Sequence, residues 1–334
     1  MKKTKHYLLI IFAILLGIIS FACRKEKNIS DVVLSSSSLT LLPNETAFLT
    51  AIIYPTDVTN KNVTWNSSNL RVATVENGWV MAISEGTALI TVTTEIENIT
   101  ANCKVTVNRH PAEPEMVFVE GGTFIMGCSD SICNNKDLPQ HQVTLSSFKI
   151  SKYPVTQKQW ETIMRTSPPN VPQGDNMPIT KLFWDDTQYF INKLNKITGK
   201  NYRLPTEAEW EFAARGGNKS EGYRYSGSDN LDEVAWYAKN GYLSVHPLGQ
   251  KKPNELGIYD MSGNYDEWCN NWYEPYSEIP QINPIGQENG IWRILRGGGH
   301  TSSPYECSVW ARLQRLPDEE YGTFRLVLTC DKDY

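Results

Sequence analysis

Two carboxylates in the C-terminal third of the chain lie where a short loop could bind a hard cation. Asp260 and Glu267 are seven positions apart, and Gly263 lies between them. Calcium takes several oxygen ligands, and a glycine-containing loop can supply two carboxylates together with backbone carbonyls. The spacing therefore predicts a structural calcium site, with a solvated acidic turn that binds no metal as the alternative.

The cysteines offer a second kind of chemistry. Cys128 and Cys133 are five positions apart, a spacing too wide for a zinc knuckle and suited to a local disulfide. Cys103 lies in a strand-like segment, so we expect a buried free thiol there. The motifs His-Glu-x-x-His, Cys-x-x-Cys and Gly-x-Ser-x-Gly do not occur in the sequence. Zincin, thioredoxin-like and elbow-serine chemistry is therefore not expected.

The composition limits the class of protein further. The 334 residues include 32 Lys and Arg against 37 Asp and Glu, which gives a net charge of -5. This balance provides no basic stripe for a phosphate backbone, so we expect no nucleic-acid partner. The length suggests two domains, each large enough to bury its own core.

The N-terminus predicts a signal peptide over residues 1–22. Lysines at the start are followed by an apolar run that ends in Ser20-Phe21-Ala22-Cys23. These four residues resemble a bacterial lipobox, which implies cleavage before Cys23, a lipid on Cys23 and attachment to a bacterial membrane. We therefore expect a lipoprotein of the cell envelope, outside the cytoplasm and at the outer membrane or cell surface. The alternatives are an uncleaved membrane anchor and ordinary cleavage with Cys23 as a bystander.

Residues 28–108 have the pattern of a small all-β sandwich. Short alternating segments rich in β-branched residues are separated by turn sequences such as Pro43-Asn44 and Asn77-Gly78. The stretches LTLLPNETAFLTAIIYP, VTWNSSNLRVATVENGWVMAISEGTALITV and CKVTV resemble the group 2 bacterial immunoglobulin-like domain. The resemblance implies an immunoglobulin-like fold that acts as a spacer.

A linker over residues 109–115, which contains two prolines, precedes a second domain over residues 116–330. Helical periodicity predicts helices over Thr156–Met164 and Asp185–Thr198, the second ending at Gly199. The sequence Thr206-Glu207-Ala208-Glu209 is a capping box that opens a third helix, with its glutamates assigned to the cap and the exposed face. Long segments without periodicity connect and follow these helices, and such segments are commonly functional or held by ions and bridges.

Six ordered motifs of the second domain resemble the formylglycine-generating enzyme, or sulfatase-modifying factor, family. They are MVFVEGGTFIMG, ISKYPVTQKQW, YRLPTEAEWEFAARGG, NELGIYDMSGNYDEW, RILRGGGH and GTFRLV. The resemblance implies an α+β fold of the C-type-lectin-like kind with little regular secondary structure. It also implies calcium ligands from the side chains of Asp260 and Glu267 and the backbone oxygens of Gly263 and Tyr265.

The chain departs from this family in the segment that contains Gly299, Ser302 and Cys307, which the resemblance identifies as the catalytic segment. The resemblance implies that family oxidases convert a cysteine to formylglycine with molecular oxygen and copper(I), held by two thiolates five residues apart. Here Cys307 fills the second position and Ser302 the first, and Gly299 and His300 follow the glycine turn where a serine is expected. A hydroxyl cannot replace a thiolate on soft copper(I). We therefore expect no copper site and no oxidase activity, with Cys307 as the one retained catalytic residue.

Cys269 could compensate in two ways for the thiolate that is missing at Ser302. A disulfide between Cys269 and Cys307 is the preferred interpretation, although connectivity cannot be deduced from sequence. The alternative is a rebuilt metal site that uses Cys269, Cys307 and His300.

Two functions follow. The first is a membrane-tethered lipoprotein whose oxidase-dead domain acts in binding or envelope assembly, with an envelope protein or a glycan as partner. The alternative is a formylglycine-generating-type oxidoreductase that acts on a protein or thiol substrate through a rearranged metal site.

Overall fold

The computed structural model describes residues 27–128, 130, 133–167 and 172–330. The chain divides into two compact units between Arg109 and His110. Within these described ranges, no helix is both long and apolar enough to cross a membrane. The predicted signal peptide and Cys23 lie outside the described residues.

The first unit is built from short strands, as the alternating sequence predicts. Asn77 and Gly78 both have positive φ angles, 49° and 84°, and join two strands in a tight hairpin. The strands pair as β1-β4, β2-β9-β8-β5 and β3-β7-β6. Their bounds are β1 Asp31–Leu34, β2 Ser38–Leu41, β3 Thr46–Phe48, β4 Ala51–Tyr54, β5 Val63–Ser67, β6 Ala73–Glu76, β7 Trp79–Ala82, β8 Gly86–Thr94 and β9 Thr100–Val107.

Alternation places one face of each strand in an apolar core. In β8, Ala88, Ile90 and Val92 are buried, whereas Leu89 between them is exposed. Cys103 on β9 lies in the same core as a free buried thiol, as predicted. The side-chain period of two is therefore sufficient to specify this core.

The second unit combines three small sheets with a few helices. The sheets have the orders β10-β13-β19-β14, β11-β12-β16 and β15-β17-β18. The pairing of β13 with β19 joins residues more than 170 positions apart, so the sheet closes the unit. The strands are β10 Met116–Val119, β11 Gly122–Met126, β12 His141–Leu145, β13 Phe148–Ser151, β14 Tyr202–Arg203, β15 Glu267–Trp272, β16 Gln281–Ile282, β17 Arg293–Arg296, β18 Arg312–Arg315 and β19 Val327–Thr329.

Three helices begin within a residue of the predicted starts, and a short fourth helix was not predicted. They are α1 Gln157–Met164, α2 Trp184–Thr198, α3 Glu207–Ala214 and the short α4 Leu231–Val234. Thr206 Oγ1 accepts from the Glu209 amide at 3.2 Å, and Glu209 Oε2 accepts from the Thr206 amide at 2.8 Å. This reciprocal pair is the predicted capping box. Gly199 ends α2 in a left-handed conformation with φ of 69°.

Residues 110–115 pack on the second unit. Ala112 is buried in a cluster with Phe190 and Leu326. Glu113 is also buried, where it accepts from the Tyr202 hydroxyl at 3.1 Å and pairs with Lys200. The segment predicted as a linker therefore contributes to the core of the second unit.

Candidate functional site

Arginine–glutamate pairs form the interior around helix α3. Arg296 is fully buried and donates from Nε to Glu207 at 2.9 Å and from Nη2 to Glu211 at 2.8 Å. Arg312 donates to both oxygens of Glu207, at 2.6 and 2.8 Å. Burial acts to raise the pKa of both carboxyls, but Arg312 and Arg296 hold the pKa of Glu207 below its usual range, and Arg215 and Arg296 do the same for Glu211. The prediction that these glutamates lie on an exposed helix face is therefore wrong, because arginines from β17 and β18 draw them inside.

The predicted calcium ligands fit the ion only in part. Glu267 accepts from Arg325 Nε and Nη2, both at 2.6 Å, and from Trp210 Nε1 at 2.9 Å. Its charge is thus already compensated by a guanidinium. Asp260 accepts from the Gly249 amide at 2.8 Å, and burial raises its pKa to about 6.

No cluster of three or more His, Cys, Asp or Glu side chains arranged to hold a metal occurs in the described part of the chain. The calcium site stays a prediction, and in this structure Arg325 holds one of its two carboxylates.

Ser302 closes a turn of the catalytic segment. Its hydroxyl oxygen accepts from the Gly299 amide at 3.0 Å, and its own amide donates to the Gly299 carbonyl at 2.9 Å. The residue is half-buried and its oxygen is used in backbone geometry. Ser302 therefore acts as a turn residue at the position that, by the resemblance, corresponds to the first copper cysteine.

Cys307 is sealed beneath this turn. It is fully buried in a cluster with Tyr225, Val234 and Tyr237. A side-chain carbon at Gly298 would lie 3.1 Å from the Cys307 sulfur and 2.8 Å from the Glu306 carbonyl, so only glycine fits above the thiol. Burial, together with the charge of Asp266, raises the thiol pKa well above its usual range. Cys307 is a protonated core thiol at neutral pH.

The predicted disulfide between Cys269 and Cys307 is wrong. Both thiols are free and buried, and they lie in different core clusters, Cys269 beside Ile294 and Val309. His300 Nδ1 lies 3.0 Å from the Asn264 carbonyl, and burial lowers the histidine pKa. These three residues do not form the rebuilt metal site proposed as the alternative, since they appear in no metal-binding group of the described ranges.

The predicted bridge between Cys128 and Cys133 is formed. The Cys128 amide also donates to the Asp137 carbonyl at 3.0 Å. Cys330 is a free, half-buried thiol near the C-terminus.

A cleft of about 390 Å³ opens beside the catalytic segment. Tyr265, Tyr321 and His300 line it together with Asp266 and Leu243. Asp266 is 4% exposed and accepts from the Tyr321 hydroxyl at 3.2 Å. Burial raises the pKa of Asp266 to about 7. Neither Asp266 nor Tyr321 stands out in the sequence, and the one hint is a third acid inside the Asp260–Glu267 loop.

The geometry defines a class of protein: a first unit of short paired strands, followed by a second unit in which the hydroxyl of Ser302 and the buried free thiol of Cys307 are five positions apart. Residues 103–329 match the family model described as the sulfatase-modifying factor enzyme 1-like domain. Residues 29–105 match the bacterial Ig-like domain (group 2). Since the first match covers more than half of the chain, the protein belongs to the sulfatase-modifying factor family.

Relatives with contrasting names resemble this chain. The chaperone protein LppX of Paenibacillus barcinonensis is 38% identical over 239 residues, 57% of this chain and 79% of the relative. The formylglycine-generating enzyme of Streptomyces coelicolor is 34% identical over 177 residues, 47% of this chain and about half, 54%, of the relative. The inactive C-alpha-formylglycine-generating enzyme 2 of Mus musculus is 26% identical over 268 residues, 63% of this chain and 83% of the relative.

Solved structures share the fold of the larger unit. Treponema denticola variable protein 1 matches with a TM-score of 0.58 and 25% identity, over 71% of this chain and 98% of that protein. PvdO from Pseudomonas aeruginosa matches with a TM-score of 0.56 and 27% identity, over 66% of this chain and 96% of that protein.

Proposed function

We propose that this protein is an envelope lipoprotein whose sulfatase-modifying-factor-like domain has lost copper-dependent oxidase activity and acts in binding or envelope assembly. The first unit serves as a spacer, and the second presents the binding cleft. We also assign the second unit to the C-type-lectin-like folds, on the basis of its small sheets, few helices and long connections.

One observation carries the loss of activity. Copper(I) in this family needs two thiolates, and here a turn-forming hydroxyl, Ser302, stands at one position while a protonated core thiol, Cys307, stands at the other. The pair therefore offers copper(I) one soft ligand where the resemblance to the family implies two.

The envelope location rests on two features of the sequence and the fold. The lipobox-like segment that ends at Cys23 implies a lipid anchor outside the cytoplasm. The disulfide between Cys128 and Cys133 suits the same compartment, because disulfides persist in oxidising surroundings.

The names of two relatives agree with a role other than oxidation. One is called a chaperone and the other an inactive formylglycine-generating enzyme. The alternative, an oxidoreductase with a rearranged metal site, draws on the similarity to active enzymes. It has less support, because Cys269 and Cys307 lie in separate clusters.

An activity assay tests the proposal. The full chain in detergent micelles, supplied with copper(I) and air, is incubated with a cysteine-containing sulfatase peptide, and the peptide mass is followed for conversion of the thiol to the aldehyde. We expect no aldehyde above the level of a Cys307→Ala variant. The Streptomyces coelicolor enzyme serves as the positive control, and turnover by this chain that depends on Cys307 would overturn the proposal.

A further inference from the structure

The cleft beside the catalytic segment contains a buried carboxylate, Asp266, that forms no direct ion pair in the described residues. Within the described ranges, no Lys or Arg forms an ion pair with Asp266, and its side-chain hydrogen bond comes from the Tyr321 hydroxyl. Glu207, Glu211 and Glu267 are buried to a similar degree, and each pairs with an arginine at 2.9 Å or less. These glutamates therefore form ion pairs with arginines of the same unit, whereas Asp266 has no such pair in the described residues.

Two charged groups of opposite sign act on Asp266 without bonding to it. The positive charge of Arg315 favours the ionised carboxylate, and the negative charge of Glu306 opposes it. Arg315 itself lies over the ring of Tyr321 at 4.7 Å and lies 3.6 Å from Glu319. A cationic ligand in the cleft could therefore form the direct ion pair that Asp266 lacks in the described residues.

Aromatic rings form the walls above this carboxylate. The rings of Tyr265 and Tyr321 lie 6.1 Å apart at 49°, and those of Tyr265 and His300 lie 5.7 Å apart at 33°. Electron-rich ring faces attract ammonium and guanidinium groups and also pack against an alkyl stem. Asp266 Oδ2 reaches towards the cleft wall, since a side-chain carbon at Gly299 would lie 3.4 Å from it.

The rim of the cleft presents apolar groups to solvent. Tyr242 and Leu243 are 82% and 79% exposed, and both have positive φ angles, 50° and 55°. Residues other than glycine rarely adopt this left-handed backbone conformation, because it costs on the order of 1–2 kcal/mol per residue. Leu243 lines the cleft, so a bound segment would contact an apolar group next to the cation.

We propose that this cleft binds the ammonium or guanidinium end of a lysine or arginine side chain of a partner protein, with Asp266 as counter-ion and Tyr265 and Tyr321 as its walls. The proposal rests on the binding role proposed above and names the chemical class of the ligand. The aromatic walls hold the alkyl stem, and the Tyr242–Leu243 rim contacts apolar residues that flank the cation.

Calorimetric titration of the full chain in detergent micelles tests the proposal. The probe is acetyl-Leu-Lys-Leu-amide, and its matched control is the same peptide acetylated on the lysine Nζ. We expect the charged peptide to bind at least tenfold more tightly than the neutral one, because only the charged form pairs with a buried carboxylate. Equal affinity of the two peptides, or no binding of the charged peptide, would overturn the proposal.

Two variants test whether peptide binding depends on Asp266 in the cleft or on the overall negative charge of the protein. Asp266→Asn should weaken binding of the charged peptide at least tenfold, whereas Asp318→Asn, which removes an exposed acid from the β18–β19 connection, should leave it unchanged. The same purified proteins are checked for thermal unfolding, so that a loss of binding is not a loss of fold. Unchanged binding by Asp266→Asn would overturn the assignment.

Acetyl-lysine-amide without the leucines separates a protein side chain from a small amine. Weaker binding than the tripeptide supports a protein segment, and equal binding contradicts it. The outcomes are independent of the oxidase assay: aldehyde formation would overturn the proposed function whatever the peptide does, and absence of peptide binding without aldehyde would overturn the ligand class alone.

Discussion

The interior of the first unit is mainly apolar, whereas the interior of the second unit also contains buried ion pairs. In the described residues of the first unit, the buried polar side chains are Ser67 and Thr94, and no charged group is buried. The second unit buries Arg296, Arg312 and Arg325 with their glutamate partners. An apolar interior needs only the correct alternation, whereas a charged interior needs each cation and anion to meet in one geometry.

This difference agrees with the roles proposed for the units. A spacer has to fold and remain inert, and apolar burial is sufficient for that. In the second unit Arg296 on β17 and Arg312 on β18 hold helix α3 against these two strands, and the turn above Cys307 directly follows β17. The charged interior therefore positions the segment from which function is expected.

The largest expected effect comes from removing one buried cation. Arg325→Met leaves Glu267 with Trp210 as its side-chain donor, and breaking a buried pair costs about 3–5 kcal/mol. Hydrogen exchange followed by mass spectrometry should show loss of protection throughout the second unit and none in β8 and β9. Arg71→Met, an exposed site of the first unit, is the control and should cost less than about 0.5 kcal/mol. A cost below about 1 kcal/mol for Arg325→Met would contradict the comparison.

A second variant should stabilise the charged interior. Asp266→Asn removes a buried charge without a counter-ion and keeps an acceptor for Tyr321, so at pH 8 we expect a gain of roughly 1–3 kcal/mol. The pKa of about 7 lies above the unfolded value, so ionisation costs the folded state stability as pH rises towards 7. The gain should therefore shrink at pH 5, where the wild-type carboxyl is protonated. Urea denaturation at both pH values measures it, and destabilisation at pH 8 would speak against an uncompensated charge.

A smaller effect is expected from the apolar interior. Ile90→Val removes one buried methyl group from β8 and should cost about 0.5–1.5 kcal/mol, confined to the first unit. Leu89→Val on the exposed face of the same strand is the matched control and should be close to neutral. If Ile90→Val also changed the hydrogen-exchange protection of the second unit, the effect would not be confined to the apolar interior, and the comparison would be contradicted.

The smallest effect concerns calcium. Because Arg325 already compensates Glu267, we expect calcium to raise the thermal unfolding temperature only slightly above its value in chelator. An unchanged temperature would contradict the site predicted from Asp260, Gly263, Tyr265 and Glu267. An Asp260→Asn variant that removes such a rise would identify the ligand.

Local features were predictable from the sequence, and long-range pairings were not. The capping box at Thr206, the stop at Gly199 and the Cys128–Cys133 bridge each involve residues within a few positions, where geometry follows from spacing. The burial of Glu207 depends on Arg296 and Arg312, which lie 89 and 105 positions away. Nothing in a short window distinguishes such a glutamate from an exposed one.

The candidate site shows the same limit. The serine at position 302, where the resemblance implies a cysteine, could be seen in the sequence. The disulfide predicted for Cys269 was wrong, because closeness to the acidic loop along the chain does not determine the core cluster into which a side chain packs. The tryptophans also differ in burial, since Trp268 and Trp310 fill the core whereas Trp292 is exposed. Trp184 and Trp272 instead sandwich the Arg293 guanidinium at 3.7 and 3.6 Å.

Copper(I) binding tests the central claim most directly. The full chain and a Cys307→Ser variant are titrated anaerobically with copper(I) in competition with a chromophoric chelator, under conditions that keep the Cys128–Cys133 bridge intact. The account predicts the same negligible copper stoichiometry for both proteins, because a hydroxyl at Ser302 leaves buried Cys307 without a second soft ligand. One equivalent of copper bound by the wild-type chain and lost in Cys307→Ser would contradict it.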